Sequence, residues 1–171
     1  MKKYHLIHKA ALLAFSLIFS LSAFAQKKME SPRDSCSGKI NKATITINYG
    51  SPSVKGRKIW GALVPYGQVW RTGANEATTF KTDHELMIEG KALPAGTYAF
   101  FAIPGETSWT IIFNKTANQW GAFNYAMKDD ALRVEVKPKK SAAMNERLVY
   151  KMNKDGFSLS WENLEVPVGI K

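Results

Sequence analysis

One short segment of the chain, Ala43-Thr44-Ile45-Thr46-Ile47-Asn48-Tyr49, alternates apolar and polar residues without interruption. Successive side chains of a β-strand point to opposite faces of a sheet, so a period of two indicates a strand with one buried face. A helix would repeat its apolar positions every three to four residues instead. The segment therefore predicts a half-buried strand.

Similar short segments follow, and turn sequences such as Leu93-Pro94-Ala95-Gly96, Pro104-Gly105 and Asp155-Gly156 separate them. Gly and Pro supply backbone angles that tight turns require, and Asp-Gly is a strong hairpin signal. Only residues 118–130 leave room for a short helix or an irregular turn. Many short strands without long helices predict an all-β, antiparallel two-sheet β-sandwich, with a partly closed β-barrel as the alternative. The further predicted strands are residues 69–72, 78–82, 86–89, 98–103, 109–114, 132–137, 147–152, 157–161 and 164–168.

The first 25 residues have the three parts of a secretory signal peptide. Lys2, Lys3 and Lys9 give a positive start, residues 10–19 are mostly apolar, and Ala23-Phe24-Ala25 offers small residues for cleavage. The apolar run is about half of the roughly 20 residues that cross a bilayer as a helix. We expect cleavage before Gln26 and export to the periplasm or beyond, without a stable membrane anchor. The alternative is an uncleaved amphipathic N-terminus.

The remaining chain is long enough for one domain. Residues 26–39 are rich in Lys, Ser, Pro and Gly and predict a flexible lead-in, and residues 40–171 predict a single β-sandwich domain. Cys36 is the only cysteine, so no internal disulfide can form. The sequence leaves the oligomeric state open.

The chain is basic, with a net charge of +10. Loss of three lysines with the signal peptide would leave +7. Apart from residues 55–58 and 137–140, the basic residues are spread along the strands and not gathered among aromatic residues. Nucleic acid is therefore not an expected partner, because its binding sites combine clustered charge with stacking side chains.

Few catalytic chemistries fit the composition. His84 is the one histidine after residue 25, and it lies in a polar turn, which disfavours histidine-assisted nucleophiles and zinc sites. No Gly-x-Ser-x-Gly elbow and no phosphate-binding Gly-rich loop occurs, so no cofactor is expected. A hydrolase needs only two carboxylates at a suitable separation. A carboxylate-dependent hydrolase that uses Glu76 therefore remains an alternative.

Residues 51–78 carry the strongest candidate for a binding site. A basic loop, residues 51–58, precedes three aromatic residues that can stack on a sugar or an aromatic ligand. An arginine follows, whose planar guanidinium suits a carboxylate or phosphate, and then a polar turn. The predicted ligand-binding residues are Trp60, Tyr66, Trp70, Arg71, Asn75 and Glu76.

A structural interpretation of the same residues stands beside the functional one. Trp60 and Trp70 would then belong to the core, Arg71 would pair with Glu76, and Gly73 and Asn75 would adopt positive φ. Three further tryptophans lie in strand patterns and are expected in the core. These three are Trp109, Trp120 and Trp161.

The order of motifs resembles that of the bacterial domain-of-unknown-function family 2911. The resemblance runs through Tyr49-Gly50-Ser51-Pro52, then residues 56–61 and 63–67, and a long segment, residues 69–78. Residues 93–98 and 120–123 are also similar. The resemblance covers about residues 31–168 and implies a secreted, β-rich protein, but it implies no substrate, cofactor or catalytic residue.

These observations together favour an exported, soluble, non-catalytic binding module for a small or glycan-like ligand. The alternatives are the carboxylate-dependent hydrolase and an envelope protein-protein interaction domain that offers a sheet edge. A cleft that holds Glu76 near a second acid would favour the hydrolase. A cleft with Trp and Arg71 but no second acid would favour the binding module.

Overall fold

The computed structural model describes residues 30–171, which form ten β-strands and one short 3-10 helix, Met127–Asp129. The helix lies in the segment for which the sequence predicted a short helix or an irregular turn. Among the described residues, no helix has the length and apolar character to cross a membrane. The predicted signal peptide and residues 26–29 lie outside the described residues. The strands are β1 (Arg33–Ile40), β2 (Ala43–Gly50), β3 (Thr78–Thr82), β4 (Leu86–Ile88), β5 (Lys91–Leu93), β6 (Gly96–Ile103), β7 (Trp109–Asn114), β8 (Asp130–Val136), β9 (Lys139–Asn153) and β10 (Gly156–Gly169).

Six of these strands form one antiparallel sheet in the order β1-β2-β3-β6-β7-β8. The long β9–β10 hairpin and the short β4–β5 hairpin form two separate two-stranded sheets. Within residues 30–171 the large sheet ends at β1 and β8 and does not close on itself. The predicted all-β, antiparallel fold is confirmed.

The alternation that predicted β2 is the burial pattern of the folded strand. Ala43, Ile45, Ile47 and Tyr49 are buried, whereas Thr44 is exposed. The buried residues face the β9–β10 hairpin, which forms the second layer of the sandwich. Tyr49 of β2 contacts Tyr150 of β9, with ring centroids 4.7 Å apart.

Aromatic rings fill the space between the two layers. Phe157 of β10 lies 5.5 Å from Phe80 of β3 and 5.6 Å from Phe100 of β6, measured between ring centroids. The Phe157–Phe80 rings are tilted at 39°, and the Phe157–Phe100 rings meet edge to face at 67°. Such aromatic contacts add to the free energy that burial of the rings provides. The hairpin is therefore packed on the sheet through several strands at once.

The opposite face of the central strands is also covered. Ala77, Ala99, Phe101 and Ile112 form a second buried cluster, against which Tyr125 packs. The segment between β7 and β8 thus lies over the outer face of the sheet. Its backbone meets residues 75–77 there, which brings the 119–123 loop beside the predicted binding segment.

Three local predictions differ from the structure. Residues 33–39, predicted as part of a flexible lead-in, belong to β1, which pairs with β2 along its whole length, because backbone hydrogen bonds do not require apolar side chains. Residues 69–72 form only a single bridge at Trp70, since the backbone turns at Thr72. Residues 157–161 and 164–168 belong to one strand, β10, whose register shifts around Glu162.

Candidate functional site

The loop between β2 and β3 places the predicted binding residues, and its last turn is fastened to the sheet. Trp70 exchanges two backbone hydrogen bonds with Ala102 of β6, at 2.8 and 2.9 Å. The N–H of Thr78 donates to the carbonyl of Arg71 at 3.3 Å, which closes residues 71–78 into a tight turn. The position of Arg71 is therefore set by the large sheet and not by a free loop.

Thr72 holds a backbone conformation that a β-branched residue rarely adopts. Its φ is +52°, and the residue is fully buried. Its hydroxyl donates to the carbonyl of Phe100 at 2.8 Å. Its own carbonyl accepts hydrogen bonds from the hydroxyls of Tyr150, at 2.9 Å, and Thr78, at 3.1 Å. Such backbone conformations persist only where the surroundings over-determine them, and they cluster at functional sites.

A close approach of two backbones explains the glycines beside this turn. The N–H of Ala74 donates to the carbonyl of Gly50 at 3.2 Å. A Cβ atom at Gly50 would lie 2.1 Å from the carbonyl oxygen of Ala74, and one at Gly73 would lie 2.9 Å from the carbonyl oxygen of Gly50. Gly73 is thus required for close packing and not for a positive φ. Of the two residues for which a positive φ was predicted, Asn75 has one, at +64°.

The turn lines a depression of about 280 Å³, which we call the Arg71 cleft. Its walls come from the basic loop, from the 63–64 segment and from the turn itself, and Trp161 of β10 also lines it. The residues that line it are Glu30, Ser31, Pro52, Ser53, Lys55, Arg57, Leu63, Val64, Trp70, Arg71, Gly73, Ala74, Asn75 and Trp161.

The guanidinium of Arg71 has no hydrogen bond or ion pair with any described residue. Its Nε atom is buried without a partner. Burial lowers the pKa of the guanidinium, because the charged form loses water. An arginine side chain nevertheless stays protonated in proteins. Within the described part of the chain Arg71 therefore presents an unpaired, partly desolvated positive charge to the cleft, and the predicted Arg71–Glu76 pair does not form.

Two further cations line the Arg71 cleft. Arg57 donates from Nε to the carbonyl of Val54 at 3.0 Å and from Nη2 to the carbonyl of Ser53 at 2.5 Å, which fixes its guanidinium. The ammonium of Lys55 pairs with Glu30 at 3.0 Å. The basic loop that the sequence placed before the aromatic residues thus contributes charge to the same cleft.

The predicted aromatic residues separate in the structure. Trp70 lines the cleft and stacks on Trp161, with centroids 6.1 Å apart and ring planes at 15°. Trp60 is buried behind them, within 5.8 Å of Trp70, Trp109 and Trp161 between centroids, and it does not line the cleft. Tyr66 is exposed and packs its ring against Gly61, also outside the cleft.

Asn75 and Glu76 line two neighbouring depressions, and the backbone between these two residues forms the ridge that separates them. Asn75 lines the Arg71 cleft, and its Nδ2 donates to the carbonyl of Ser31 at 3.3 Å. Glu76 lines a neighbouring depression of about 410 Å³, which we call the Trp120 groove. Its carboxylate pairs with Arg33 at 3.4 Å. The residues that line the groove are Arg33, Glu76, Ala77, Thr79, Ala117, Asn118, Gln119 and Trp120.

Of the three tryptophans expected in the core, Trp109 and Trp161 are buried, but Trp120 is 58% exposed. That expectation was wrong for Trp120, because the residue lies in a loop over the outer face of the sheet, where no second layer of the described chain covers it. Trp120 forms an isolated bridge with Glu76. The Trp120-Gly121-Ala122-Phe123 motif was the one signal in the sequence that pointed to this loop.

Histidine-assisted catalysis, metal binding and two-carboxylate hydrolysis each need partner side chains that the described part of the chain does not bring together. The imidazole of His84 is exposed, and its hydrogen-bond partner within residues 30–171 is the adjacent Asp83, 2.8 Å from Nδ1, in the polar turn that the sequence predicted. Residues 30–171 contain no group of three or more His, Cys, Asp or Glu side chains that would hold a metal ion. No second carboxylate lines the Trp120 groove beside Glu76 among these residues.

Comparison with known proteins gives a family match over nearly all of the described chain. Residues 31–170 match the family described as Protein of unknown function (DUF2911). No significant match was found among curated proteins or among solved structures.

Proposed function

The chain belongs to this family of proteins of unknown function, and we propose that it is an exported, non-catalytic binding module for a small organic anion. The ligand would occupy the Arg71 cleft and place its carboxylate or phosphate against the guanidinium of Arg71. Export rests on the signal peptide that the sequence predicts.

The observation that carries this proposal is the guanidinium of Arg71, which has no partner among residues 30–171. A cation that has lost part of its water and found no partner is unfavourable for the folded protein. A ligand anion would repay that cost with charge-assisted hydrogen bonds to the guanidinium. The backbone beside Arg71 is anchored at Thr72 in the unbound protein, so little backbone ordering would accompany binding.

The rest of the cleft fits the same ligand. Arg57 adds positive potential, the charges of Lys55 and Glu30 offset each other, and Trp70 adds an apolar surface. The volume of about 280 Å³ lies at the small end of known ligand sites, which bounds the ligand to roughly one sugar ring or one aromatic acid.

The geometry supports binding better than it supports hydrolysis. Glycoside hydrolysis by two carboxylates requires them about 5 to 9.5 Å apart across the scissile bond. Glu76 faces the Trp120 groove, where its described partner is Arg33 and not an acid. The described lining of the Arg71 cleft includes one carboxylate, Glu30, which pairs with Lys55.

Calorimetry and thermal shift with galacturonate, benzoate and inorganic phosphate test the proposal. A ligand at 100 times its Kd stabilises the folded state by about 2.7 kcal/mol, a rise of several degrees in Tm. Arg71→Lys retains the charge but loses the planar fork, so binding should weaken by about tenfold or more. Lys81→Gln removes an exposed charge from β3, outside both depressions, and is the matched control. If no anion binds, or if both variants weaken binding equally, the proposed function is wrong.

A further inference from the structure

We propose that the Trp120 groove is a second subsite of the same ligand, and that this ligand is an acidic oligosaccharide. One carboxylate-bearing sugar would lie in the Arg71 cleft, and a neighbouring sugar ring would lie on the indole of Trp120. This inference rests on the proposed function and names the class of ligand.

Trp120 is exposed on a backbone that is held in place by hydrogen bonds. Its side chain is 58% exposed, yet the loop around it is tied to the turn: the N–H of Ala77 donates to the carbonyl of Gln119 at 3.0 Å, and the N–H of Gly121 donates to that of Asn75 at 3.1 Å. A large apolar ring held open to solvent is a preorganised surface for stacking, with a polar N–H at its edge.

Hydrogen-bond donors and acceptors surround the indole ring of Trp120. Arg33 offers N–H donors, Glu76 offers acceptor oxygens, and the exposed Asn118 offers both. The Arg33–Glu76 pair is partly exposed, with 42% and 48% of the two side chains accessible, so its atoms remain available to a ligand. Sugar hydroxyl groups donate and accept, and they match a mixed set of this kind.

The Arg71 cleft and the Trp120 groove are adjacent on the surface. Asn75 lines the cleft and Glu76 lines the groove, and the Cα atoms of consecutive residues are about 3.8 Å apart. Gly121, next to Trp120, lies against Arg71: a Cβ atom there would be 3.8 Å from its Nη1. A linear ligand with its anion at Arg71 can therefore cross the ridge and reach Trp120.

Charge distinguishes an acidic glycan from single-stranded nucleic acid, which also combines anions with stacking rings. The described cation of the Trp120 groove, Arg33, is already paired with Glu76, so a phosphodiester there would find no unpaired cation. The carboxylate of a uronic acid is a substituent at the edge of the sugar ring, so the ring can place its C–H face and hydroxyl groups in the groove while the carboxylate points away from Glu76. The observations favour the glycan, and an oligonucleotide is the competing outcome of the test.

The experiment compares galacturonate with tetragalacturonate, measured by calorimetry on the wild type and on Trp120→Ala. The tetramer should bind the wild type at least about tenfold more tightly than the monomer, because its second ring adds contacts without a second loss of freedom. Trp120→Ala should abolish that advantage and leave the affinity for the monomer unchanged. Trp120→Phe, which retains a ring, should restore part of it. Met144→Ala, which shortens an exposed apolar residue of β9 outside both depressions, is the control.

The possible negative binding results overturn different claims. If the monomer binds through Arg71 but the tetramer binds no better, the second subsite is wrong and the proposed function stands. If neither sugar binds, and benzoate and phosphate do not bind either, both proposals are overturned. If an oligothymidylate binds more tightly than tetragalacturonate in a Trp120-dependent manner, the acidic glycan is overturned as the ligand class.

Discussion

Replacement of Arg71 by Met separates the functional interpretation of this side chain from a structural one. Met keeps most of the apolar stem and removes the guanidinium, which has no described partner and whose Nε is buried. A buried polar group without a partner costs about 1–3 kcal/mol. Arg71 is only partly buried, so the lower end applies, and we expect the variant to be more stable by about 1 kcal/mol, or about 3 °C in Tm. Anion binding should be lost.

The assay is urea unfolding followed by tryptophan fluorescence, in a buffer free of phosphate and carboxylate. Folding lowers the pKa of Arg71, so the penalty on its charged form is present at every pH below the folded-state pKa. The gain should therefore be the same at about pH 5 and pH 9. Arg33→Met is the control: it breaks an exposed ion pair, which contributes about 0–1 kcal/mol. A loss of several kcal/mol for Arg71→Met would show that the guanidinium supports the fold, and would refute its role as a ligand group.

Two further predictions concern contacts away from the guanidinium of Arg71, and one concerns the signal peptide. Tyr150→Phe removes the buried hydrogen bond to the carbonyl of Thr72 and should cost about 1 kcal/mol in urea unfolding, with weaker anion binding by calorimetry; unchanged binding would mean that this bond does not hold the turn. The neighbouring His84 and the N–H of Thr44 lower the pKa of Asp83 to about 2, so Asp83→Asn should be less stable than wild type above pH 3.8. That difference should vanish as the pH falls through about 2, and a difference that grows in acid would contradict the assignment. Protein recovered from the extracytoplasmic fraction should begin at Gln26, and an intact mass that retains residues 1–25 would refute the predicted cleavage.

The sequence predicted the strands best where side-chain alternation is strict. β2 and β3 follow the expected boundaries closely, because burial of one face imposes a period of two on each strand separately. β1 was missed because its residues are mostly polar and it is held by backbone pairing to β2. The bend at Thr72 was missed because no local rule places a β-branched residue at positive φ.

The structure brings some of the predicted binding residues together and separates others. Trp70, Arg71 and Asn75 line one cleft together with Lys55 and Arg57 of the basic loop. The structure places Trp60 in the core, Tyr66 on a separate surface and Glu76 in the adjacent groove. Trp161 and Trp120 join these depressions from β10 and from the 119–123 loop, and sequence position gave no reason to bring them there.

The all-β class, the main turns and the segment that carries the candidate site were determined by the sequence alone, since each depends on neighbouring residues. The partners were decided only by the tertiary structure. Arg33 reaches Glu76 across 43 residues, and Tyr150 reaches Thr72 across 78. Arg71 has no partner among the described residues, and Arg71 and Glu76 line different depressions. Local propensity cannot encode such an arrangement, because it arises when distant strands pack and fix the backbone between them.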